Sequence, residues 1–135
     1  MKRISLEYRP VKIEEYQKLR KTTTWDMLSD EQVKIALNND LFTVCAMDSE
    51  KLVGIGRLIG DGGIYFYIQD LMVLPEYKGI GIGKLIMNKL MRYVNENCQK
   101  GSFIGLMAAR GLKEYYEYFG FEARNPESPG MFKII

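Results

Sequence analysis

The stretch from residue 67 to residue 94 constrains the fold more than any other part of this 135-residue chain. An apolar run at residues 68–74 ends at Pro75 and predicts a buried strand. Three glycines at alternate positions follow. Apolar residues then recur every three or four positions, which predicts an amphipathic helix. The order is therefore strand, glycine-rich loop, helix.

A loop of this composition at the start of a helix is typical of a phosphate-binding site. Gly79, Gly81 and Gly83 carry no side chain that would block a ligand. They also tolerate positive φ, which lets successive backbone N–H groups converge on an anion. These groups lie at the positive end of a helix dipole, between Lys78 and Lys84. The sequence therefore predicts that the loop holds phosphate.

Two well-known phosphate loops do not fit this stretch. A Walker A loop needs a glycine five residues before its Gly-Lys pair and Ser or Thr after it, but these positions hold Lys78 and Leu85. The dinucleotide fingerprint needs a third glycine three residues after the second, where this chain has Lys84 or Ile86. The remaining pattern is a basic residue and Gly-x-Gly-x-Gly after a Val-x-Pro strand end. It resembles the acyl-CoA pyrophosphate loop of the GNAT superfamily of N-acetyltransferases.

A second segment, residues 113–121, is similar to the Phe-Tyr-x-x-x-Gly-Phe segment of the same superfamily. The match places the family's usual tyrosine at Tyr116, and it implies that this hydroxyl protonates the departing thiolate of the thioester. Such proton transfer is worth roughly 10²–10⁴-fold in rate, because negative charge moves to sulfur as the tetrahedral intermediate collapses. Tyr115 and Tyr118 occupy neighbouring helix positions and are expected to face elsewhere and pack. The alternative that Tyr116 also only packs stays open.

The resemblance implies acetyl-CoA as the co-substrate and no metal. The backbone of Leu71, Met72 and Val73 would bind the pantetheine arm as an added strand, with the Val73 N–H facing the thioester oxygen. Many relatives carry an asparagine just after the following strand. Here either Arg110 substitutes for it or the contact is missing. The residues expected at the diphosphate are Lys78, Gly79, Ile80, Gly81, Ile82, Gly83 and Lys84.

Attack on a thioester needs a neutral amine, and deprotonating a lysine-like amine at neutral pH costs on the order of 4–5 kcal/mol. The chain has no histidine, so carboxylates are the candidate bases. The position that bears Glu in many relatives matches Gln69, which cannot act as a base. Asp70 follows it, on the opposite face of a regular strand. A β-bulge would turn Asp70 toward the cleft; otherwise Asp70 is structural and pairs with Arg57.

The acceptor side is expected to be built from the first two helices and the last loop, as in the family. The candidate walls are Trp25, residues 26–28, Arg57 and the turn at residues 130–131. An aromatic wall suits an amine through cation–π contact, although a plain core role for Trp25 stays open. Arg57 would hold an acceptor carboxylate or phosphate, or it would pair with Asp61 or Asp70.

These features predict an acetyl-CoA-dependent N-acetyltransferase acting on the primary amine of a small molecule. Three alternatives remain open: a CoA-binding sensor or partner module of the same fold with little turnover, a protein-lysine acetyltransferase, and an unrelated nucleotide-binding protein.

Length and composition limit the number of domains, the partners and the location that we expect. The length predicts one domain, residues 1–135, and a net charge of +2 gives no indication of a nucleic-acid partner. No apolar stretch approaches the roughly 18 residues that span a membrane, and residues 1–3 lead into no signal-peptide core, so we expect a cytoplasmic protein. Cys45 and Cys98 are expected to be buried free thiols, and without histidine a zinc site is improbable.

The whole chain predicts a mixed α/β fold in which antiparallel strands come first and a crossover helix then joins two parallel strands. The GNAT fold that this order resembles has about four helices and a sheet that splays open between those strands, where acyl-CoA enters. By analogy with relatives, residues 131–135 are a candidate homodimer seam. The expected strands are residues 4–8, 42–47, 52–59, 64–74, 102–108, 121–124 and 131–135, and the expected helices are residues 13–19, 29–37, 82–94 and 112–118.

Overall fold

Five strands and four helices follow one another along residues 3–135, the part of the chain that the computed structural model describes; Met1 and Lys2 lie outside it. The strands are β1 (Ile4–Glu7), β2 (Phe42–Asp48), β3 (Lys51–Gly60), β4 (Tyr65–Val73) and β5 (Phe103–Gly105). The helices are α1 (Ile13–Arg20), α2 (Asp30–Leu37), α3 (Ile82–Asn97) and α4 (Lys113–Glu117), and a short 3-10 helix at Pro75–Tyr77 precedes the glycine loop.

The strands form one sheet in the order β1-β2-β3-β4-β5. Strands β1 to β4 pair antiparallel with their neighbours, whereas β5 pairs parallel to β4. Helix α3 makes the crossover between these last two strands, as a parallel connection requires. The predicted mixed α/β fold is confirmed.

The sheet opens between β4 and β5. Their ladder starts at Tyr65 and Phe103 and stops at Tyr67 and Gly105, while β4 continues to Val73 alongside β3. Within residues 3–135, no strand pairs with the other edge of β4 beyond Tyr67. The 3-10 helix at Pro75–Tyr77 then connects this unpaired edge to the glycine loop.

The end of the chain differs from its prediction. The strand expected at residues 102–108 is only three residues long, and the strands expected at residues 121–124 and 131–135 are wrong. A strand forms only against another edge, and here the apolar pattern of residues 131–135 meets none. Pro126 and Pro129 also interrupt the segment, since proline cannot donate to a ladder.

Helix α3 packs on one face of the sheet through residues that recur at helical spacing. Gly56 points at this helix: a Cβ built there lies 2.6 Å from Ile86 Cγ2 and 2.8 Å from Leu90 Cδ1. Its neighbour Arg57 contacts the carbonyl oxygen of Ala36 in α2. Successive strand residues point to opposite faces, so α1 and α2 cover the other side. The buried residues of α3 are Ile82, Ile86, Met87, Leu90 and Val94.

Helix α2 begins as predicted, because the Ser29 hydroxyl accepts a hydrogen bond from the Gln32 N–H at 3.1 Å. Both cysteines are free, Cys45 buried in β2 and Cys98 half-buried at the end of α3. The burial expected for Cys98 is therefore only partial. No helix in residues 3–135 is both long and apolar enough to cross a membrane.

Replacement of Gly56 by alanine tests the close packing of α3. The added methyl group would overlap the Ile86 and Leu90 side chains, so we expect a loss of about 1–3 kcal/mol in the free energy of unfolding, measured in urea. Gly63→Ala is the control, since its Cβ would meet nothing closer than 3.9 Å. Equal stability of the two variants would contradict this packing.

Candidate active site

The glycine loop has the backbone conformation that its composition predicts. Gly79 and Gly81 have φ values of +81° and +90°, in the left-handed region that side chains disfavour. A Cβ at either position would meet no atom within 4 Å, so the space over the loop is open. A ligand can therefore approach this backbone closely.

The loop leads into a helix end that lacks a side-chain cap. Gly81 is the N-cap of α3, and the first turn contains no acidic residue. The first hydrogen bond of the helix runs from the Leu85 N–H to the Gly81 carbonyl at 3.1 Å. The N–H groups of residues 82–84 thus have no intrahelical acceptor. With exposed Lys78 and Lys84 alongside, this end of α3 can bind an anion.

Aromatic residues of α4 pack against this helix end. The Tyr115 hydroxyl lies 3.6 Å from a Cβ built on Gly83, and the Lys84 Nζ lies 4.7 Å from the centroid of the Tyr118 ring. Tyr115 thus faces α3, although the sequence predicted that it would only pack away from the site.

Tyr116 is buried, with 9% of its surface exposed. Its ring packs edge-on against Tyr115 at 5.1 Å and against Phe121 at 6.4 Å, and it lines a cavity of about 560 Å³ beside β5. Burial, and to a lesser extent the neighbouring Tyr115, raises the pKa of the Tyr116 hydroxyl. The phenol is therefore protonated at neutral pH, which is the state that a proton donor needs.

A β-bulge interrupts the β3–β4 ladder at Asp70. Ile55 pairs with Met72 and Arg57 with Gln69, so Gly56 stands opposite two residues of β4. Asp70 has a φ of +58°, one of two non-glycine residues with positive φ in residues 3–135. The bulge turns the Asp70 side chain to the same face as Gln69, whose Nε2 lies 3.4 Å from Asp70 Oδ1.

The Asp70 carboxylate belongs to a buried polar network. Its Oδ2 accepts hydrogen bonds from Arg57 Nη1 at 2.6 Å and from the Tyr16 hydroxyl at 2.8 Å. Arg57 also contacts Asp40 Oδ1 at 2.6 Å through Nη2, and Asp40 accepts from Thr43 as well. The network joins α1, β3, β4 and the loop before β2, and Arg57 Nη2 also donates to the Ala36 carbonyl of α2. It therefore holds α1 and α2 at the bulge.

Burial in this network changes the protonation of its members. Burial opposes the charge of Arg57, but the hydrogen bonds that Arg57 donates to Asp40 and Asp70 outweigh it and raise the pKa of the guanidinium. Burial, together with the Asp70 charge and hydrogen bond, raises the pKa of Tyr16 to about 12. Arg57 thus stays charged and Tyr16 neutral at physiological pH.

The predicted acceptor residues do not share one environment. Trp25 is 40% exposed in the loop between α1 and α2, where the Arg20 guanidinium lies 5.4 Å from its ring centroid. Arg57 is 6% exposed and engaged with carboxylates. Asp61, which was one expected partner of Arg57, instead accepts the backbone N–H groups of residues 63–65.

The structure brings together the unpaired edge of β4, the bulge and the loop, but it leaves Arg110 exposed in the turn after β5. Four members of the network were not predicted as site residues: Tyr16, Arg20, Asp40 and Thr43. Arg20 Nη1 donates to the Tyr16 hydroxyl at 3.1 Å. No local motif marks these residues, since only tertiary packing brings them to the bulge.

Residues 7–130 match the family model described as "Acetyltransferase (GNAT) domain". The chain belongs to the GNAT superfamily of N-acetyltransferases. The match covers strands β2 to β5 and the four helices, together with the last residue of β1. This GNAT chain is therefore an acyltransferase.

Individual relatives agree with this assignment. A protein of unknown function from meticillin-resistant Staphylococcus aureus, described as a probable acetyltransferase, is 34% identical, with a TM-score of 0.91 over 98% of this chain and 100% of that one. An uncharacterised N-acetyltransferase of Pyropia yezoensis, ycf52, is 28% identical over 90% of this chain and 71% of its own length.

Arabidopsis thaliana Naa50, solved with the bisubstrate analogue CoA-Ac-MVNAL, is similar in fold. It is 24% identical to this GNAT chain, with a TM-score of 0.72 over 90% of this chain and 85% of that one.

The raised pKa of Tyr16 predicts how stability changes at alkaline pH. The folded protein keeps this proton up to about pH 12, whereas the unfolded chain loses it near pH 10, so the Tyr16 contribution is complete below about pH 10 and is lost as the pH rises toward 12. Wild-type stability should fall with a steeper slope than that of Tyr16→Phe, by up to about 1.4 kcal/mol per pH unit. Urea unfolding between pH 9 and pH 11 measures this difference, and parallel slopes would contradict it.

Proposed function

We propose that this GNAT acetyltransferase transfers the acetyl group of acetyl-CoA to the primary amine of a small molecule by direct attack. One observation carries the proposal: the uncapped start of α3, with Gly79 and Gly81 at positive φ, follows directly on the unpaired edge of β4. Acyl-CoA has an anionic diphosphate, which fits the helix start, and an extended pantetheine arm, which fits the unpaired strand edge. The bisubstrate analogue held by Naa50 is in keeping with this ligand.

In this proposal the CoA diphosphate accepts hydrogen bonds from the backbone of residues 79–84 and faces Lys78 and Lys84. Charge-assisted hydrogen bonds of this type are stronger than neutral ones. The arm lies along β4 as an added strand, opposite Leu71, Met72 and Val73, and the Val73 N–H faces the thioester oxygen. Arg110, exposed after β5, takes the place of the asparagine that relatives use for the cofactor.

Tyr116 is the proposed general acid for the departing thiolate. Because burial raises its pKa, the hydroxyl is protonated at neutral pH, which is the state that a proton donor needs. Tyr116 follows Tyr115 directly in α4, and the two rings pack edge-on at 5.1 Å; the Tyr115 hydroxyl in turn lies 3.6 Å from a Cβ built on Gly83, at the start of α3.

For the base we propose Asp70, acting through Oδ1. Oδ2 already accepts from Arg57 and Tyr16, whereas within residues 3–135 the one hydrogen bond of Oδ1 is with Gln69 Nε2, at 3.4 Å. The carboxylate is 3% exposed, so the proton reaches it through a water molecule. In this proposal Arg57 holds Asp70 in position, and Trp25, whose ring is exposed, contacts the acceptor amine.

The small-molecule acceptor and the cytoplasmic location stay predictions. A turnover screen with acetyl-CoA against polyamines, arylalkylamines, amino acids, aminoglycosides and a lysine peptide tests the first. Activity on the peptide alone would favour a protein acceptor, and tight CoA binding without any turnover would favour the sensor module.

Gly81→Ala tests the diphosphate loop, and Gly101→Ala is a matched control. Both glycines have similar positive φ, +90° and +93°, and a Cβ on either meets nothing within 4 Å, so alanine costs a similar strain of about 1–2 kcal/mol at each. We expect at least a tenfold rise in the CoA dissociation constant, measured by calorimetry, for Gly81→Ala only. Equal CoA affinity in the two variants would overturn the proposed loop.

Tyr116→Phe tests the general acid with little change in packing. We expect turnover to fall by roughly 10²–10⁴-fold, because the thiolate would leave unprotonated, while CoA affinity stays within about twofold of wild type. Tyr118→Phe, at a position 69% exposed in the same helix, should turn over normally. Full activity of Tyr116→Phe would remove this tyrosine from the mechanism.

A further inference from the structure

Helix α1 ends with an arginine that has no carboxylate partner. Arg20 Nε donates to the Asp26 carbonyl at 2.8 Å, and Nη1 donates to the Tyr16 hydroxyl at 3.1 Å. Within residues 3–135, Nη2 has no hydrogen-bond acceptor, and no Asp or Glu oxygen lies within 4.0 Å of the guanidinium. Part of the donor fork of Arg20 is therefore left for a ligand.

The Arg20 guanidinium is held in a fixed position. Its two hydrogen bonds tie the end of α1 to the loop before α2, and its Cζ lies 5.4 Å from the centroid of the Trp25 ring. Gln17 Nε2 holds the far end of the same loop by donating to the Leu28 carbonyl at 2.7 Å. A planar fork that is already oriented loses little freedom when it binds an anion, so this geometry favours tight binding.

Arg57, the other arginine of the network, is not available to a ligand. It is 6% exposed and already contacts Asp40 and Asp70. Arg20 is only half-buried and lies beside Trp25, whose ring is 40% exposed. An anionic group that comes from solvent can therefore reach Arg20, whereas at Arg57 it would have to displace a buried carboxylate.

Arg20 also lies close to the proposed base. The Tyr16 hydroxyl that accepts from Arg20 donates to Asp70 Oδ2 at 2.8 Å, so two hydrogen bonds separate the guanidinium from this carboxylate. Only a compact molecule can place an anionic group on Arg20 and an amine near Asp70 at the same time. The positive charge of Arg20 also favours the neutral form of a nearby amine, which is the form that attacks a thioester.

We propose that the acceptor is a compact amine that also carries an anionic group, as a free amino acid does, and that Arg20 binds this group. This acceptor class rests on the proposed function. A guanidinium matches a carboxylate or a phosphate through paired N–H···O bonds, and Trp25 packs against the acceptor beside them. A polyamine or an aminoglycoside brings only positive charge and meets like charge at Arg20, so it is disfavoured.

Ligand binding is the first test, because it needs no turnover. Trp25 is the only tryptophan of the chain, so its fluorescence reports a ligand that binds beside Arg20. The ligands are free amino acids other than tryptophan, each compared with its uncharged carboxamide, and phosphoethanolamine compared with ethanolamine, all with and without CoA. The amino-acid pairs and the phosphoethanolamine pair distinguish a carboxylate from a phosphate as the anionic group.

We expect at least one anionic amine to bind the wild type roughly 10–100-fold more tightly than its uncharged counterpart, since hydrogen bonds between charged groups are the strong ones. Arg20→Gln should abolish this ratio, and Arg20→Lys should retain part of it. Lys21→Gln, which removes an exposed charge at the same helix end, is the matched control and should leave the ratio unchanged.

Two results would overturn the proposal. One is a wild type that binds no anionic amine better than its uncharged counterpart, a result that does not depend on how well any variant folds. The other is a folded Arg20→Gln protein, checked by far-ultraviolet circular dichroism, that keeps the wild-type ratio.

Turnover with acetyl-CoA then separates this inference from the proposed function. For the anionic amine that binds best, kcat/KM should fall roughly 10–100-fold in Arg20→Gln, mainly through KM, and should stay unchanged in Lys21→Gln. An anionic amine that binds through Arg20 but is not acetylated, while an uncharged amine or a polyamine is, overturns the acceptor class. Absence of acetyl transfer to every amine contradicts the proposed function instead, and the binding ratios still decide whether Arg20 holds the anionic group.

Discussion

The ion pair between Arg57 and Asp70 is the interaction on which the site geometry depends. Asp70 adopts a φ of +58°, which costs a non-glycine residue on the order of 1–3 kcal/mol. The guanidinium and the Tyr16 hydroxyl both donate to the same carboxylate oxygen at 2.6 and 2.8 Å, and such charge-assisted bonds offset the strain. The bulge that results bends β4 and accompanies the opening of the sheet beyond Tyr67.

A buried ion pair is not in itself a large source of stability, since desolvation cancels much of its attraction. The ion pair between Arg57 and Asp70 matters because it holds the Asp70 side chain and the bulge in place. Asp40 adds a second carboxylate to Arg57, so the guanidinium joins the loop before β2, the bulge of β4 and the α2 backbone. Loss of Asp70 alone would leave the rest of the network buried without its balancing charge, which typically costs about 3–5 kcal/mol. The same residues therefore shape the cleft and link it to the core.

On the other face, glycines in β3 decide where the anion site lies. A Cβ built on Gly54 lies 3.2 Å from Ile86 Cδ1, and one built on Gly56 lies 2.6 Å from Ile86 Cγ2. Helix α3 can thus approach the sheet more closely than side chains at positions 54 and 56 would allow. Because the helix starts immediately after the loop, this close packing brings its uncapped N–H groups to the end of β4. The same close packing of α3 therefore determines both the core and the position of the anion site.

The parts that sequence reasoning predicted are those determined by neighbours in the chain. The glycine loop, the helix after it and the helix expected from residue 29 depend on residues only a few positions apart, and the structure has all three. The pairing of Arg57 with Asp40 joins residues 17 positions apart, and nothing in the local pattern selects it over Asp61. Tyr16 is further still from Asp70, by 54 positions.

The two strands expected at residues 121–124 and 131–135, which the structure lacks, show the same limit of sequence reasoning. Residues 131–135 have the apolar composition of a strand, but a strand is defined by the edge it meets, and composition does not say on which chain that edge lies. Within residues 3–135, one edge of β5 meets no strand, and residues 131–135 meet no edge. The apolar pattern of this segment is the same whether or not an edge is present, so sequence reasoning assigned a strand that the fold does not form.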